Sequence, residues 1–314
     1  MPSYELPHNL AGQIERLCTA RPHLQGVLSA FGPLIEARYR WLSTVVVDPA
    51  PPQIDGYRFS QGIAWLEQNP ELAFDGQWQQ AGEMVARAIG RGFPQLSAEM
   101  AELCAQIDGG SLDVAALFAA KDDSAAWSDN GQRGKVSEIG RHFFTTWLQR
   151  FILAGLARNA AAHKIFADLS WPKGHCPVCG SLPHLAILRD KGHRWLQCPD
   201  CGHEWRFSRL TCPCCEHQNP EDTGIFFIEG VKEESAVICG QCQRYLLTVN
   251  RSESLQQEPV ELTALSLGHL DVILQEKGYA PMVQCEWNNV LDVAPSPLPG
   301  DGDSNPAKNC SQKS

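Results

Sequence analysis

Long apolar runs are missing from this sequence. None approaches the roughly twenty residues that a helix needs to cross a bilayer, so no membrane insertion is expected. Basic charge is also short: 26 Lys and Arg face 36 Asp and Glu, a formal net charge of −10. Nucleic-acid modules ordinarily carry a basic footprint, so nucleic acid is not expected as a partner. The opening residues Met1-Pro2-Ser3-Tyr4-Glu5 lack the basic start and apolar core of a secretory signal, which points to the cytoplasm. Residues 1–170 contain no nucleophile–base pair, phosphate loop or dinucleotide fingerprint, and no enzymatic activity is expected.

Cysteine, by contrast, is abundant, with thirteen residues. In a chain held in a reducing compartment these argue for metal rather than disulfides. Eight fall into four Cys-x-x-Cys pairs: Cys176/Cys179, Cys198/Cys201, Cys212/Cys215 and Cys239/Cys242. Two thiolates three residues apart on a tight turn can point at one ion. Pro177, Pro199 and Pro213 pre-set φ for that turn, and Gly180 and Gly202 accept positive φ where the chain leaves it. Four pairs supply two tetrahedral four-cysteine sites, which either zinc or iron would accept. Eighteen residues separate the first two pairs and twenty-three the second two, with ten between the halves. This spacing favours sequential pairing, one ion per half, over the interleaved arrangement of RING-like folds. Cys214 is a third thiol in the Cys212–Cys215 turn, and spacing leaves it outside the ligand set. His175, His184, His193, His203 and His217 crowd the region but are expected beside the sites or at the surface. Residues 171–250 hold eight Lys/Arg against nine Asp/Glu. A divalent ion on four thiolates leaves each centre at about −2, making the loaded region more acidic still.

Each half repeats one layout: a Cys-x-x-Cys turn, an apolar stretch, a second such turn and an aromatic. The apolar stretches, Leu185–Leu188 and Gly224–Ile228, suit short antiparallel strands. That is the layout of a zinc ribbon or a rubredoxin. Upstream, residues from about 8 to 168 read as helical. One stripe runs from Leu24 to Val45, with a bend expected at Gly32-Pro33, and shorter helices fit 60–68, 77–89, 95–107 and 111–120. A second stripe joins Val136, Ile139, Phe143, Phe144, Trp147, Leu148, Phe151, Ile152 and Leu156, with His142, Thr145, Gln149 and Arg150 facing away. Downstream, a polar linker leads to a helix over about 260–277, and the Pro-, Gly- and Ser-rich tail is expected to be disordered. The expected fold is multidomain α+β: an all-α helical domain (1–170), two tandem rubredoxin-like or zinc-ribbon-like modules (171–207 and 208–250), a linker and C-terminal helix (251–293) and a tail (294–314). The metal module, being small and rich in turns, is expected to fold on metal loading independently of the helices.

The cysteine region resembles the formate dehydrogenase accessory proteins, the FdhE family. The likeness runs through Cys176-Pro177-Val178-Cys179-Gly180-Ser181-Leu182-Pro183, Arg194-Trp195-Leu196-Gln197-Cys198 and Cys201-Gly202-His203-Glu204-Trp205. It continues in Arg209, Cys212, Cys215, Cys239, Cys242, Tyr245 and Leu246. Beyond Tyr279 the chain departs from the family pattern, with Glu286-Trp287-Asn288-Asn289 where an Asn-Pro close is usual. The resemblance implies a cytoplasmic maturation factor that acts on the catalytic subunit of a formate dehydrogenase and holds two irons in rubredoxin-type four-cysteine sites, with zinc as the other occupant. Two alternatives stay open: a rubredoxin-like electron carrier and a zinc-ribbon adaptor.

Overall fold

The structure is a computed structural model and describes residues 9–47, 53–70, 77–119, 127, 136–231, 233–251 and 259–288. The sequence expectation for the tail lies outside these residues. Its helical part comprises α1 (Leu10–Ala20), α2 (Gln25–Thr44), α3 (Gly56–Ser60), α4 (Trp65–Gln68), α5 (Trp78–Gly92), α6 (Ser97–Asp108), α7 (Val114–Ala119) and α8 (Glu138–Ala162). Local chemistry sets their starts. The Asp55 carboxylate accepts the backbone N–H groups of Tyr57 and Arg58 at 2.9 and 3.1 Å to cap α3. Ser137 caps α8 through the Gly140 N–H at 3.0 Å, and is itself held by the Glu99 carboxylate. α2 runs unbroken through Pro33, where a bend was expected. The expected 60–68 helix is two short turns, α3 and α4, with Gly62 at positive φ between them.

The core of this part is aromatic. Phe31 packs against Phe93, Trp147 and Trp287, and Trp41 against Phe151. The α8 stripe differs from its expectation at three positions. Ile139 is exposed, whereas Thr145 and Arg150 are buried. Arg150 can enter an apolar face because acidic groups from elsewhere in the chain meet it there.

Among the described residues seven strands follow: β1 (Leu185–Arg189), β2 (His193–Gln197), β3 (Glu204–Arg206), β4 (Thr223–Phe227), β5 (Glu234–Cys239), β6 (Arg244–Asn250) and β7 (Ala280–Pro281). Each half of the cysteine region forms an antiparallel three-stranded meander. The two meanders join through a parallel β1–β6 pairing, with Leu185 beside Leu247 and Ile187 beside Val249. The result is one sheet in the order β3-β2-β1-β6-β5-β4, with β7 beside β6. Side-chain alternation gives it two apolar faces. Ala186, Leu196 and Leu246 face the helical core. Leu185, Ile187, Tyr245, Leu247 and Val249 face the C-terminal helices α9 (Val260–Ser266) and α10 (Gly268–Glu276). These two replace the single helix expected over 260–277. The central strands β1 and β6 are therefore covered on both sides, which accounts for their near-continuous apolar sequences, while β4 stays exposed.

Candidate metal centres

The eight paired cysteines lie in two groups. Cys176, Cys179, Cys198 and Cys201 form one and Cys212, Cys215, Cys239 and Cys242 the other, with the four sulfurs of each group within 4.8 Å of one another. This is the sequential grouping that the spacing favours. In the first group Cys176 and Cys201 sulfurs are 3.5 Å apart, as are those of Cys179 and Cys198. In the second the Cys212–Cys242 and Cys215–Cys239 separations are 3.8 and 3.7 Å. Four sulfurs about 2.3 Å from a central ion sit about 3.8 Å apart in a tetrahedron, whereas a disulfide needs about 2.05 Å. Both groups can hold a metal ion.

The turns are built alike. The N–H of the residue after each second cysteine, or its equivalent, folds back onto the carbonyl of the first: Gly180 to Cys176 at 2.9 Å, Gly202 to Cys198 at 3.1 Å, Glu216 to Cys212 at 3.0 Å and Gln243 to Cys239 at 2.9 Å. All four of these residues have positive φ. In the first group both are glycine. In the second, Glu216 and Gln243 take a conformation that costs an L-residue about 1–2 kcal/mol.

Thiol chemistry supports a cation at each site. Hydrogen bonds from Cys176, Cys198 and Cys201 hold the Cys179 thiol well below its ordinary value despite burial. Burial holds those other three well above theirs. One thiolate is stabilised by its neighbours, but four together need a positive ion. In the second group, the Cys242 contact and burial raise Cys212, and burial raises Cys215 to about 12. The Cys214 thiol is buried beside Cys242 and outside the group of four. None of the five nearby histidines joins either group. Buried His184 bonds Gln197, and burial lowers its pKa to about 3. His203 stacks with Trp205 and is lowered to about 4 by burial. His175 meets the Gly62 carbonyl, His193 bonds Arg206, and His217 meets Asp222 at 2.7 Å.

The two groups differ in their surroundings. Three cysteines of the first are buried, against one of the second. Helical elements enclose the first site from several directions. At the start of α4, Trp65 and Leu66 donate backbone N–H bonds to the Pro177 and Val178 carbonyls, both at 2.9 Å. Arg38 of α2 donates to the Asp200 carbonyl at 2.8 Å. Asp200 also receives Ser181 Oγ at 2.6 Å and pairs with Arg150 of α8 at 3.4 Å. Arg150 pairs again with Glu286 and lies about 5 Å from the Trp147 and Trp287 rings. Burial alone would lower its pKa, but Glu286, Cys285 and Asp200 overcome that and raise it, keeping the guanidinium charged. Between the sites, buried Arg194 donates to the carbonyls of Ser208 and Thr211 and pins the connecting segment.

Sequence reasoning missed Arg38, Arg150 and Asp200. Arg150 interrupts an aromatic stripe, and Asp200 sits between ligands in Cys198-Pro199-Asp200-Cys201. Both signals were visible, but their meeting depends on tertiary structure. Glu286 and Trp287, in the stretch that departs from the family pattern, are integral to the same cluster.

A helical domain whose core closes over one four-cysteine group, with a second group at the far half of a shared sheet, defines a protein with two candidate tetrathiolate metal centres. The comparisons specify it further. The family described as FdhE, central domain, matches residues 175–209. A FdhE homolog of Haemophilus influenzae (strain PittEE) is 27% identical over 76% of this chain and 75% of its own length. One from Cronobacter sakazakii is 28% identical over 67% of this chain and 64% of its own length. The crystal structure of the FdhE protein from Pseudomonas aeruginosa shares the fold, with a TM-score of 0.53 at 21% identity, covering 90% of this chain and 94% of that one. The chain is thus similar to the FdhE proteins in the sequence of its first cysteine group and in its overall fold.

Proposed function

We propose that the protein is a maturation factor for a formate dehydrogenase, binding the catalytic subunit and carrying one metal ion at each four-cysteine site. The observation that carries the reading is the pair of four-cysteine groups in a chain similar to the FdhE proteins, built into a large helical body. Iron is the proposed occupant of both sites, with zinc as the other; bound iron would supply one-electron chemistry, and either ion would fix the fold. The chain's own residues do the rest. Cys176, Cys179, Cys198 and Cys201 supply the four thiolates of the first site, and Arg38 and Arg150 hold the Cys198–Cys201 turn through Asp200. The second set lies nearer solvent, in a position to meet a partner. Free thiols throughout the described residues agree with a reducing compartment, the cytoplasm.

The test is a pull-down of the catalytic subunit from anaerobic extract, with formate oxidation measured in cells carrying Cys212→Ser/Cys215→Ser. The proposal expects client capture by wild type and loss of formate oxidation in the variant. Full formate oxidation in cells lacking the protein would overturn it.

A further inference from the structure

Among the described residues the β4 edge of the sheet is apolar, exposed and unpaired. The Gly240 N–H donates to the Asp222 carbonyl at 2.7 Å, which fixes the phase of the antiparallel β4–β5 ladder. By alternation, residues 224 and 226 bond β5, while Ile225 and Phe227 turn their N–H and C=O groups to the free edge. No described residue pairs with those groups. Ile225 and Phe227 are 64% and 63% exposed. Ile225 continues an apolar row that begins at Leu246, buried against the helices, and passes through half-buried Val237, while Phe227 lies on the same face beside Ser235. Natural edge strands are blunted by Lys, Pro or inward charge. Thr223-Gly224-Ile225-Phe226-Phe227 has none of these.

Charge around the edge narrows the occupant. Glu221 precedes β4, Glu229 follows it and Glu233 lies on the turn to β5. All three are exposed and form no ion pair with another described residue. A strand laid on this edge would meet an apolar centre with acid at both ends.

We infer that the free edge of β4 receives, by strand addition, an extended segment of the client polypeptide that carries apolar residues flanked by Lys or Arg. The inference rests on the client reading above. Backbone pairing supplies affinity, and Ile225, Phe227 and the acidic ends select the sequence. The occupant is placed on β4, the exposed edge of the second module, so the client is met by the strand farthest from the first metal centre.

Overlapping synthetic peptides spanning the catalytic subunit provide the probe, read by fluorescence anisotropy against the full metal-loaded chain, together with capture of the whole subunit. Ile225→Pro deletes the outward N–H without touching the β5 ladder. Phe227→Thr removes apolar contact, and Glu221→Lys/Glu229→Lys reverses the charge. The expected result is binding of a basic-flanked apolar peptide, weakened at least about tenfold by each variant, with metal content and circular dichroism unchanged. Should Ile225→Pro fail to fold, the charge reversal and Phe227→Thr carry the test. Equal capture of the client by wild type and all variants would overturn the edge site and leave the functional reading standing. No capture by wild type would overturn both. A wild-type dimer seen by light scattering and abolished by Phe227→Thr would give the edge to a second copy and overturn the client as occupant.

Discussion

Replacing Arg150 by Met should destabilise the whole protein, not one domain. The side chain is 4% exposed and joins three parts of the chain: α8, the Cys198–Cys201 turn through Asp200, and the C-terminal segment through Glu286. Removing one partner of a buried ion pair typically costs about 3–5 kcal/mol, because the other charge stays behind unpaired. Here the acids retain some water: the side chains of Asp200 and Glu286 are 28% and 18% exposed. That discount brings the expected loss to about 2–4 kcal/mol. Methionine keeps contact with the Trp147 and Trp287 rings, so lost packing contributes little. The assay is urea unfolding of metal-loaded protein, followed in parallel by helical circular dichroism and metal release. Both signals should shift together to lower urea. A cycle with Glu286→Gln should show a coupling of 1 kcal/mol or more. If the midpoints separate, or if the loss stays below about 1 kcal/mol, then Arg150 does not link the helices to the first site and the reasoning fails.

Three further outcomes follow from the same structure. Cys176→Ser/Cys179→Ser should lose one ion and lower the thermal midpoint of the helices, whereas Cys212→Ser/Cys215→Ser should lose one ion and leave that midpoint nearly unchanged, as read by metal analysis and circular dichroism. Glu216→Gly and Gln243→Gly should each stabilise the second site by up to about 1 kcal/mol by removing positive-φ strain, seen as slower metal release to a chelator. Asp271 is buried with one oxygen accepting the Tyr245 hydroxyl at 2.6 Å and the other unpartnered, and burial raises its pKa to about 7. The folded state then binds the proton more tightly than the unfolded one, so this group's contribution falls as pH rises from about 4 to about 7 and is flat above. Asp271→Asn should remove that slope and raise stability at pH 8, measured by urea unfolding across the range.

The two four-cysteine groups were legible from sequence because their pattern is local. Cys-Pro-x-Cys turns declare themselves within a few residues, and spacing alone grouped them. Helix existence was equally readable, since apolar residues at helical spacing report a buried face. What stayed hidden depends on non-local contacts. The parallel β1–β6 pairing joins residues some sixty positions apart and has no local signature, yet it fuses the two modules into one sheet. Arg150 was assigned to solvent because its charge is local information, whereas Asp200 and Glu286 are not. The same omission underlies the expectation that the metal module folds independently. Cys176, Cys198 and Cys201 share a core with α2 and α8, so the first site and the helices should unfold together.

X-ray absorption with metal analysis on anaerobically purified full-length protein tests the account most directly. Two ions per chain are predicted, each with four sulfurs at about 2.3 Å, one ion being lost with either pair of substitutions. One ion or none per chain in fully reduced protein, or a first shell dominated by nitrogen and oxygen, would contradict it.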